Sequence, residues 1–137
     1  YAAGVVIPDR GNVFISVREP DKTNKLIEVA DFLTQNNFEI IATKGTSEFL
    51  KNNGVKCAFI NKVHEGQPHI VDLIKSKEID LIINTTEGKQ SIEESFSIRA
   101  EAVIANITYY TSLEAAAATI ESFDFLDTIT VNKLQNL

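Results

Sequence analysis

Residues 79–91 read IDLIINTTEGKQS, and this stretch decides the fold. Its first part, Ile79–Ile83, is an almost continuous apolar run, which is typical of a parallel strand buried on both faces. Its second part, Asn84–Ser91, is polar and carries the turn chemistry of a loop between a strand and a helix. Ser91 and Glu94 then have the spacing of a capping box, which predicts that a helix begins there. The stretch therefore reads as one strand–loop–helix unit.

The same pattern recurs on both sides of this stretch. Short runs rich in β-branched and aromatic residues predict four more strands, at Val13–Val17, Phe38–Ala42, Lys56–Ile60 and Ile107–Tyr109. Amphipathic segments follow these runs and are predicted to form helices. Helix starts are predicted at Asp21, Pro68 and the capping box Thr111–Glu114, and helix ends at Gly54 and about Ala105. Five such units predict an α/β fold, a three-layer Rossmann-like domain with a five-stranded parallel sheet flanked by helices. Thr128–Val131 is a candidate for a further edge strand.

The chain has 137 residues, the size of one compact domain. Apolar residues make up 44% and charged residues 23% of it, which excludes intrinsic disorder. No apolar run approaches the ~20 residues of a membrane span, and no secretory leader pattern opens the sequence. Residues 1–11 lack periodicity and are interpreted as a linker or packed entry arm, with the domain at residues 12–137. Because the chain contains no methionine, we expect it to be a segment of a longer polypeptide.

Charge and cysteine content restrict the expected partners. The formal net charge is −6, so a broad nucleic-acid-binding surface, which needs clustered Lys and Arg, is not expected. The single cysteine, Cys57, excludes an internal disulfide framework and a multi-cysteine metal site. It lies in an apolar predicted strand and is expected to be a small core residue. A reducing cytoplasm is the expected compartment.

The loops that follow the five predicted strands share one chemistry. Ligands of parallel α/β sheets bind beyond the carboxyl ends of the strands, so these loops are where a site is expected. Small hydroxyls, Asn, Gly and Lys precede helices, whose first amides carry partial positive charge, and the rim is therefore predicted to bind an anion. The loops are Ser16–Lys22, Thr43–Thr46, Asn61–His69, Asn84–Ser91 and Tyr109–Ser112, and the lysines are Lys22, Lys44, Lys62 and Lys89.

Each of these features also has an ordinary structural interpretation. Turn-and-cap chemistry accounts for TKGT and NTTEG, and Lys22 and Lys89 are compatible with solvated surface charges. His64 and His69 lack an evident third ligand, so no metal site is expected. The default role of Arg99 is a salt bridge or an interface contact. The chain has neither a GxxxxGK[ST] nor a GxGxxG motif, which excludes the P-loop and dinucleotide-binding fingerprints.

Five segments together resemble a known family. They read SVREPDK, ATKGT, NKVHEGQPHI, INTTEGKQSIEES and SIRAEAV. In this order and spacing they closely resemble the C-terminal allosteric domain of the carbamoyl phosphate synthetase large chain, from about Gly11 to Thr130. The resemblance implies a methylglyoxal-synthase-like fold, in agreement with the five-stranded pattern. It also implies that residues 1–11 join the domain to the synthetase body.

The resemblance implies a regulatory site. In bacterial synthetases of this family the domain binds UMP as an inhibitor and IMP as an activator, in one overlapping site. Carried over by motif, the effector site comprises Ser16, Lys22, Thr43, Gly45, Thr46, Lys62, Asn84, Thr85, Thr86 and Lys89, of which Lys22, Thr43, Thr46 and Lys62 hold the phosphate. Tyr109 and Thr111 match positions of the family's ornithine site, which lies between this domain and the synthetase body.

The resemblance also implies a larger enzyme around the domain. Such a synthetase uses ATP and Mg to make carbamoyl phosphate for pyrimidine and arginine biosynthesis, and none of its catalytic centres falls within this chain. The implied partners are the rest of the large chain and a glutaminase small subunit, with no cofactor in the domain itself. The chain departs from the family at Gln90, where a second basic residue is common, and at Thr108 and Tyr110 beside the implied ornithine contacts.

Two other functions remain open from the sequence. The same fold hosts methylglyoxal synthase, an enzyme that acts on a phosphorylated triose. Its acidic residue corresponds roughly to Gln67, which cannot act as a base, and its His-containing loop corresponds to NTTEGKQS, which has no His. Catalysis is therefore not expected. The second alternative is a structural domain with a degenerate pocket, which would bind no nucleotide.

Overall fold

The computed structural model describes residues 11–62, 65–87 and 89–120. The side chains of residues 89–91 also lie outside what it describes. The predicted linker up to residue 10, His64 and the candidate edge strand Thr128–Val131 therefore fall outside the described residues.

Five parallel strands form one sheet in the order β3-β2-β1-β4-β5. This confirms the predicted five-stranded parallel sheet. Four strands lie within about two residues of their predicted bounds, whereas β3 is shorter than predicted and Cys57 lies just before it. The strands are β1 (Gly11–Ser16), β2 (Phe38–Ala42), β3 (Ala58–Phe59), β4 (Leu81–Asn84) and β5 (Thr108–Tyr110).

Helices connect the strands and cover both faces of the sheet, as predicted. A short 3-10 turn, Glu19–Asp21, separates β1 from the first α-helix. The described helices are α1 (Asn24–Gln35), α2 (Lys44–Asn52), α3 (Ile70–Lys75), α4 (Lys89–Ile104) and α5, whose described part is residues 113–120.

The start of α1 differs from the prediction. Asp21 is the predicted cap, but the helix begins after Thr23, and Asp21 is 6% exposed in the 3-10 turn. Its carboxylate instead accepts a hydrogen bond from Arg18 Nε at 2.9 Å. The charge of Arg18 thus compensates the buried carboxylate, because a buried ion is costly without an opposite charge or hydrogen bonds. Asp21 therefore shapes the loop after β1 rather than the helix.

Two further helix boundaries lie close to their predicted positions. The α2 helix begins at Lys44 and, as predicted, ends before Gly54, whose φ of +82° is the left-handed geometry that glycine tolerates at a helix end. Pro68 is predicted inside the first turn of α3, but it precedes the cap residue His69. The His69 amide donates to Asp72 Oδ2 at 2.9 Å, so the first turn of α3 is closed by its own acidic residue.

Both predicted capping boxes are wrong in detail. The α4 helix already begins at Lys89, so Ser91 lies inside it rather than at its cap. At the start of α5 the capping hydroxyl belongs to Ser112 rather than Thr111, because Ser112 Oγ accepts the hydrogen bond of the Ala115 amide at 3.1 Å. Each box places a hydroxyl residue near the correct helix start, but spacing alone leaves the start uncertain by one or two residues.

Two apolar cores lie on opposite faces of the sheet. Strand residues alternate between them, since successive side chains point to opposite faces. Val13 and Ile15 pack with α1, α2 and α5, whereas Phe14 packs with α3 and α4. In β4 the consecutive residues 81–83 are all fully buried, as their continuous apolar run predicts.

The strand order places a topological switch point between β1 and β4. From β1 the chain moves outward to β2 and β3, and it then returns to pair β4 on the other side of β1. The adjacent connections therefore diverge and leave a crevice at the carboxyl ends of β1 and β4, where open α/β sheets bind ligands. Ser16 and Asn84, the last residues of the two strands, are register partners at this point.

Candidate functional site

A cavity of about 300 Å³ opens at this switch point. It gathers residues from the loops after β1, β2, β3 and β4. Nine of the ten predicted effector residues line it, and they are Ser16, Lys22, Thr43, Gly45, Thr46, Lys62, Asn84, Thr85 and Thr86. The tenth, Lys89, is the first residue of α4, and its side chain lies outside the described part of the chain.

The floor of the cavity is a network of buried hydroxyls. Ser16 Oγ and Thr43 Oγ1 are 2.9 Å apart and share a hydrogen bond. Thr46 Oγ1 accepts from the Val17 amide at 3.1 Å, and Thr85 Oγ1 accepts from the Arg18 amide at 3.0 Å. These bonds join the ends of β1, β2 and β4. They hold the loop backbone in one conformation, because a buried amide that loses its acceptor costs about 1–3 kcal/mol.

The start of α2 faces into this cavity. Thr43 is its cap residue, yet the Thr43 hydroxyl bonds Ser16 and makes no side-chain cap hydrogen bond to the helix. The first amides of an α-helix have no acceptor within the helix, and they carry about half a unit of positive charge. Gly45 and Thr46, in this first turn, both line the cavity. The helix start is thus a donor surface suited to an anion.

Lys22 brings a full positive charge to the same place. Its side chain is 14% exposed, and a β-carbon added at Gly45 would stand 2.9 Å from Lys22 Nζ. An ammonium group above a helix N-terminus is electrostatically unfavourable unless negative charge accompanies it. In the structure that charge is the carboxylate of Glu19, whose Oε1 accepts a hydrogen bond from Lys22 Nζ.

Arg18 lies at the rim and is held by the loop itself. Its side chain is 43% exposed and pairs with the nearly buried Asp21. The hydrogen bond to Asp21 and the Asp21 charge raise the pKa of Arg18 above its ordinary value, with smaller contributions from Glu87 and Glu114. Arg18 has no predicted role in the site. Its place in SVREPDK, three residues before an acidic partner, is a signal for this pairing.

Lys62 enters from the loop after β3. Its amide donates to Glu65 Oε1 at 2.7 Å, and the Glu65 amide donates back to the Lys62 carbonyl at 3.0 Å. The Lys62 side chain lines the cavity, where Ile70 at the start of α3 also contributes to the wall. Gln67, in the same loop, is exposed and contacts Asp72 Oδ1 at 3.4 Å.

Asn84 connects the cavity to β5 and α4. Its Nδ2 donates to Ser95 Oγ at 3.0 Å and to the Tyr109 hydroxyl at 2.8 Å. Tyr109 therefore supports a cavity residue from behind. The guanidinium carbon of Arg99 lies over the Tyr109 ring, 5.6 Å from its centroid, which is a cation–aromatic contact. The salt bridge or interface contact expected of Arg99 stays a prediction.

The two residues carried over for ornithine are not brought to this cavity. Tyr109 is half-buried in the core between the sheet and α4, and Thr111 is exposed just beyond β5. Lys44 is likewise exposed and lies outside the lining. The fifth loop, Tyr109–Ser112, thus does not join the other four.

The cavity also holds acidic side chains that are absent from the predicted site. Its lining contains Glu19, Glu87 and Glu94, next to the basic residues Arg18, Lys22 and Lys62. Glu19 and Lys22 already pair with each other. The lining is therefore mixed in charge, and of its basic residues Lys22 lies against the first turn of α2. A signal for Glu94 is present in the sequence, because the capping-box spacing places it in the first turns of α4.

The described residues contain neither a metal cluster nor a membrane span. Among them, no group of three or more His, Cys, Asp and Glu side chains is arranged to hold a metal ion. In the same ranges, no helix is long and apolar enough to cross a membrane.

Comparison with known proteins supplies the family. The model of the MGS-like domain family matches residues 25–111, which include all but the first residue of α1, strands β2 to β5 and the cavity loops after β2, β3 and β4. The chain belongs to the MGS-like domain family. The crystal structure of a methylglyoxal synthase from Elizabethkingia anophelis matches this MGS-like domain with a TM-score of 0.64 over 83% of this chain and 78% of that one. The two sequences are 20% identical, so this match concerns the fold.

Relatives of this MGS-like domain at higher identity are carbamoyl phosphate synthase large chains. One from Xanthomonas axonopodis pv. citri is 46% identical over 136 residues, and one from Xylella fastidiosa strain Temecula1 is 47% identical over the same length. Each match covers 99% of this chain and 12% of the relative. The chain thus corresponds to about an eighth of the length of these relatives, which are its homologues.

Proposed function

We propose that this MGS-like domain is the regulatory domain of a carbamoyl phosphate synthetase large chain and binds a nucleoside monophosphate in the switch-point cavity. One observation carries the proposal. Lys22 is held, largely buried, against the N-terminus of α2, where two sources of positive charge face the same space. A dianionic phosphate relieves that repulsion and replaces the carboxylate of Glu19 as the partner of Lys22.

The phosphate seat consists of the residues around the start of α2. The backbone amides of Gly45 and Thr46 and the hydroxyl of Thr43 supply hydrogen-bond donors, and Lys22 and Lys62 supply charge. All of these residues line the cavity. Charge-assisted hydrogen bonds contribute about 1.5–3 kcal/mol each, so two lysines account for much of the affinity of a small anion.

The other half of the cavity suits the neutral part of the ligand. Ser16, Asn84, Thr85 and Thr86 offer hydroxyl and amide groups. Lys89, the first residue of α4, is proposed to join them. The carboxylates of Glu87 and Glu94 are acceptors, and sugar hydroxyls are donors. A ribose monophosphate therefore matches the mixed charge of the lining better than inorganic phosphate does, because its uncharged sugar brings hydroxyl donors to the carboxylates while the phosphate stays near the basic residues.

The wider role follows from the homologues. In the intact synthetase we propose UMP as an inhibitor and IMP as an activator, with typical coupling free energies of ~1–3 kcal/mol. Tyr109 and Thr111 are proposed as this domain's half of an ornithine site shared with the synthetase body. That body would use ATP and Mg to make carbamoyl phosphate in the cytoplasm, together with a glutaminase small subunit, for pyrimidine and arginine biosynthesis. The domain itself is proposed to need no cofactor or metal.

Calorimetric titration with UMP and IMP tests the binding site. Lys62→Ala should weaken binding of both by about 1.5–3 kcal/mol, which is a loss of about tenfold or more. Lys51→Ala is the matched control, since Lys51 is an exposed lysine in the last turn of α2, outside the cavity. Equal affinities for the wild type and Lys62→Ala would remove Lys62 from the site. Absence of binding by the wild type would contradict the proposal.

An activity assay separates this proposal from an enzyme of the same fold. Turnover of dihydroxyacetone phosphate above background would contradict a purely regulatory role. No turnover together with nucleotide binding supports it.

A further inference from the structure

The α4 helix carries an unusual outer surface. Four of the five large apolar side chains that are exposed in the described part of the chain lie on it, namely Ile92, Phe96, Val103 and Ile104. Phe96 is 70% and Val103 74% exposed. Spacings of four and seven residues place Ile92, Phe96 and Val103 on one helix face. We call these three side chains the α4 stripe. Such a row of apolar side chains in water is typical of an interaction surface.

The opposite face of α4 belongs to the cavity and the core. Glu94, Ser95 and Ile98 line the cavity, and Ile98 and Ala102 are buried against the sheet. Ser95 also accepts a hydrogen bond from Asn84. One helix therefore contacts a ligand in the cavity on one side and presents the α4 stripe on the other.

Arg99 lies within the span of the stripe and connects it to the same site. Its guanidinium is stacked over Tyr109, and the Tyr109 hydroxyl accepts from Asn84. A partner bound at the α4 stripe would therefore contact the helix that carries Ser95 and Arg99. Ser95 accepts a hydrogen bond from the cavity residue Asn84, and Arg99 packs on Tyr109, which accepts another.

We propose that the α4 stripe docks against the remainder of the synthetase large chain, in the same polypeptide. This inference rests on the proposed place of the domain in a longer synthetase, but it does not depend on nucleotide binding. In the homologues about seven-eighths of the length lies outside the region that matches this chain. Within the described residues, the α4 stripe holds most of the exposed large apolar side chains. An apolar surface elsewhere in the large chain would therefore remove more apolar area from water here than at other described surfaces.

The size of the stripe favours a tethered partner over a second copy of the chain. A 16-residue helix is about 24 Å long and about 10 Å wide, so its footprint is roughly 240 Å² on each partner. Two copies would bury about 500 Å², well below the ~1,200 Å² of a stable interface between separate proteins. A partner in the same chain is present at an effective concentration of order mM, so a small apolar contact is sufficient to hold it.

The charge of α4 disfavours a membrane as the occupant. The helix carries Lys89 and Arg99 against Glu93, Glu94 and Glu101. Surface-bound membrane helices instead combine an apolar face with an excess of Lys and Arg.

Cysteine labelling in the full-length large chain tests the proposal. Phe96→Cys and Val103→Cys are compared with Asp31→Cys, an exposed position on α1, and peptide mass spectrometry reports the maleimide reaction rate at each site. A stripe that is covered nine-tenths of the time labels about tenfold more slowly than an open position. The proposal expects slowing of that size at both positions, unchanged on dilution.

Two results would overturn it. A smaller difference from Asp31→Cys means that the stripe is open to solvent in the full chain. Protection that disappears on dilution assigns the stripe to a second copy. Neither result depends on whether UMP or IMP binds, so failure here is distinguishable from failure of the nucleotide titrations.

Discussion

The ammonium group of Lys22 and the backbone of Gly45 are in direct proximity. A β-carbon at position 45 would stand 2.9 Å from Lys22 Nζ, closer than real β-carbons approach such atoms. The contact joins the loop after β1 to the first turn of α2. Absence of a side chain at Gly45 therefore gives a lysine room to reach a helix N-terminus.

Gly45→Ala is expected to separate stability from binding. The added methyl group displaces Lys22 Nζ, so binding of UMP should weaken by about 1–2 kcal/mol, or roughly tenfold. Alanine is a better helix former than glycine by about 1 kcal/mol, so the free energy of unfolding should stay equal or rise. Calorimetry and urea denaturation measure the two effects.

Gly54→Ala is the matched control, and its effects should be opposite. Gly54 has a φ of +82° and open space around it, so alanine is strained there but touches no binding group. Stability should fall by about 1 kcal/mol while the dissociation constant is unchanged. If Gly45→Ala bound UMP as tightly as the wild type, Lys22 would have no part in holding the phosphate.

Thr46→Val should destabilise the fold even without a ligand. The substitution keeps the side-chain shape but removes the acceptor of the buried Val17 amide, 3.1 Å away. A loss of about 1–3 kcal/mol in the free energy of unfolding is expected. Thr34→Val is the control, because the Thr34 hydroxyl bonds the Asp31 carbonyl at an exposed position, and a change within about 0.5 kcal/mol is expected. Equal effects in urea denaturation would contradict this role of Thr46.

The strand pattern can be predicted because burial on both faces leaves a simple signal. Continuous apolar runs such as LII at residues 81–83 identify the strands, and the cavity loops follow from their carboxyl ends. The strand order is beyond this reasoning, because it depends on which strands pair in space. Only the order shows that β1 and β4 are adjacent and that Ser16 stands opposite Asn84.

Charged residues are assigned less well, because residue type alone leaves more than one role open. Asp21 has the residue type of a helix cap, but it pairs with Arg18, three residues earlier in the same loop. Glu87 and Glu94 are not predicted as site residues, because a search for an anion site looks for basic and hydroxyl groups. The capping-box spacing places Glu94 near the start of α4 but does not indicate that it lines the cavity. Helix starts at Ser91 and Thr111 are misplaced because several adjacent residues can serve as caps.

Tyr109 and Tyr110 are neighbours that should respond oppositely to removal of the hydroxyl. The Tyr109 hydroxyl accepts from Asn84 at 2.8 Å, so Tyr109→Phe should lower the free energy of unfolding by about 0.5–1.5 kcal/mol. The Tyr110 hydroxyl is buried and has no hydrogen-bond partner within the described residues. Tyr110→Phe removes an uncompensated polar group, so stability should be unchanged or higher.

Urea denaturation of both tyrosine variants measures these effects. A loss at Tyr110→Phe as large as that at Tyr109→Phe would mean that the Tyr110 hydroxyl is satisfied in the folded protein. UMP titration adds a second measurement, because loosening Asn84 in Tyr109→Phe should weaken binding while Tyr110→Phe leaves it unchanged.

Cys57 should react slowly with alkylating reagents in the folded protein. Partial burial raises the pKa of its thiol above the ordinary value, and the nearby charge of Lys51 offsets this in part. The thiol also lies 3.6 Å from the Ser47 carbonyl, which accepts a hydrogen bond from the protonated form. Because the thiolate is the nucleophile, its reaction should require higher pH in the folded chain than in urea.

Iodoacetamide rates measured across pH test this directly, with Cys57→Ser as the unlabelled control. The half-maximal rate of the folded chain should lie at higher pH than that of the unfolded chain. The direction of the pKa change also determines the stability effect. Because the folded chain favours the neutral thiol, Cys57 contributes to stability fully at pH values below the pKa of the thiol in the unfolded chain. This contribution is lost as the pH rises through the higher pKa of the thiol in the folded chain. A half-maximal rate at equal or lower pH would show that Lys51, rather than burial, dominates the environment of the thiol.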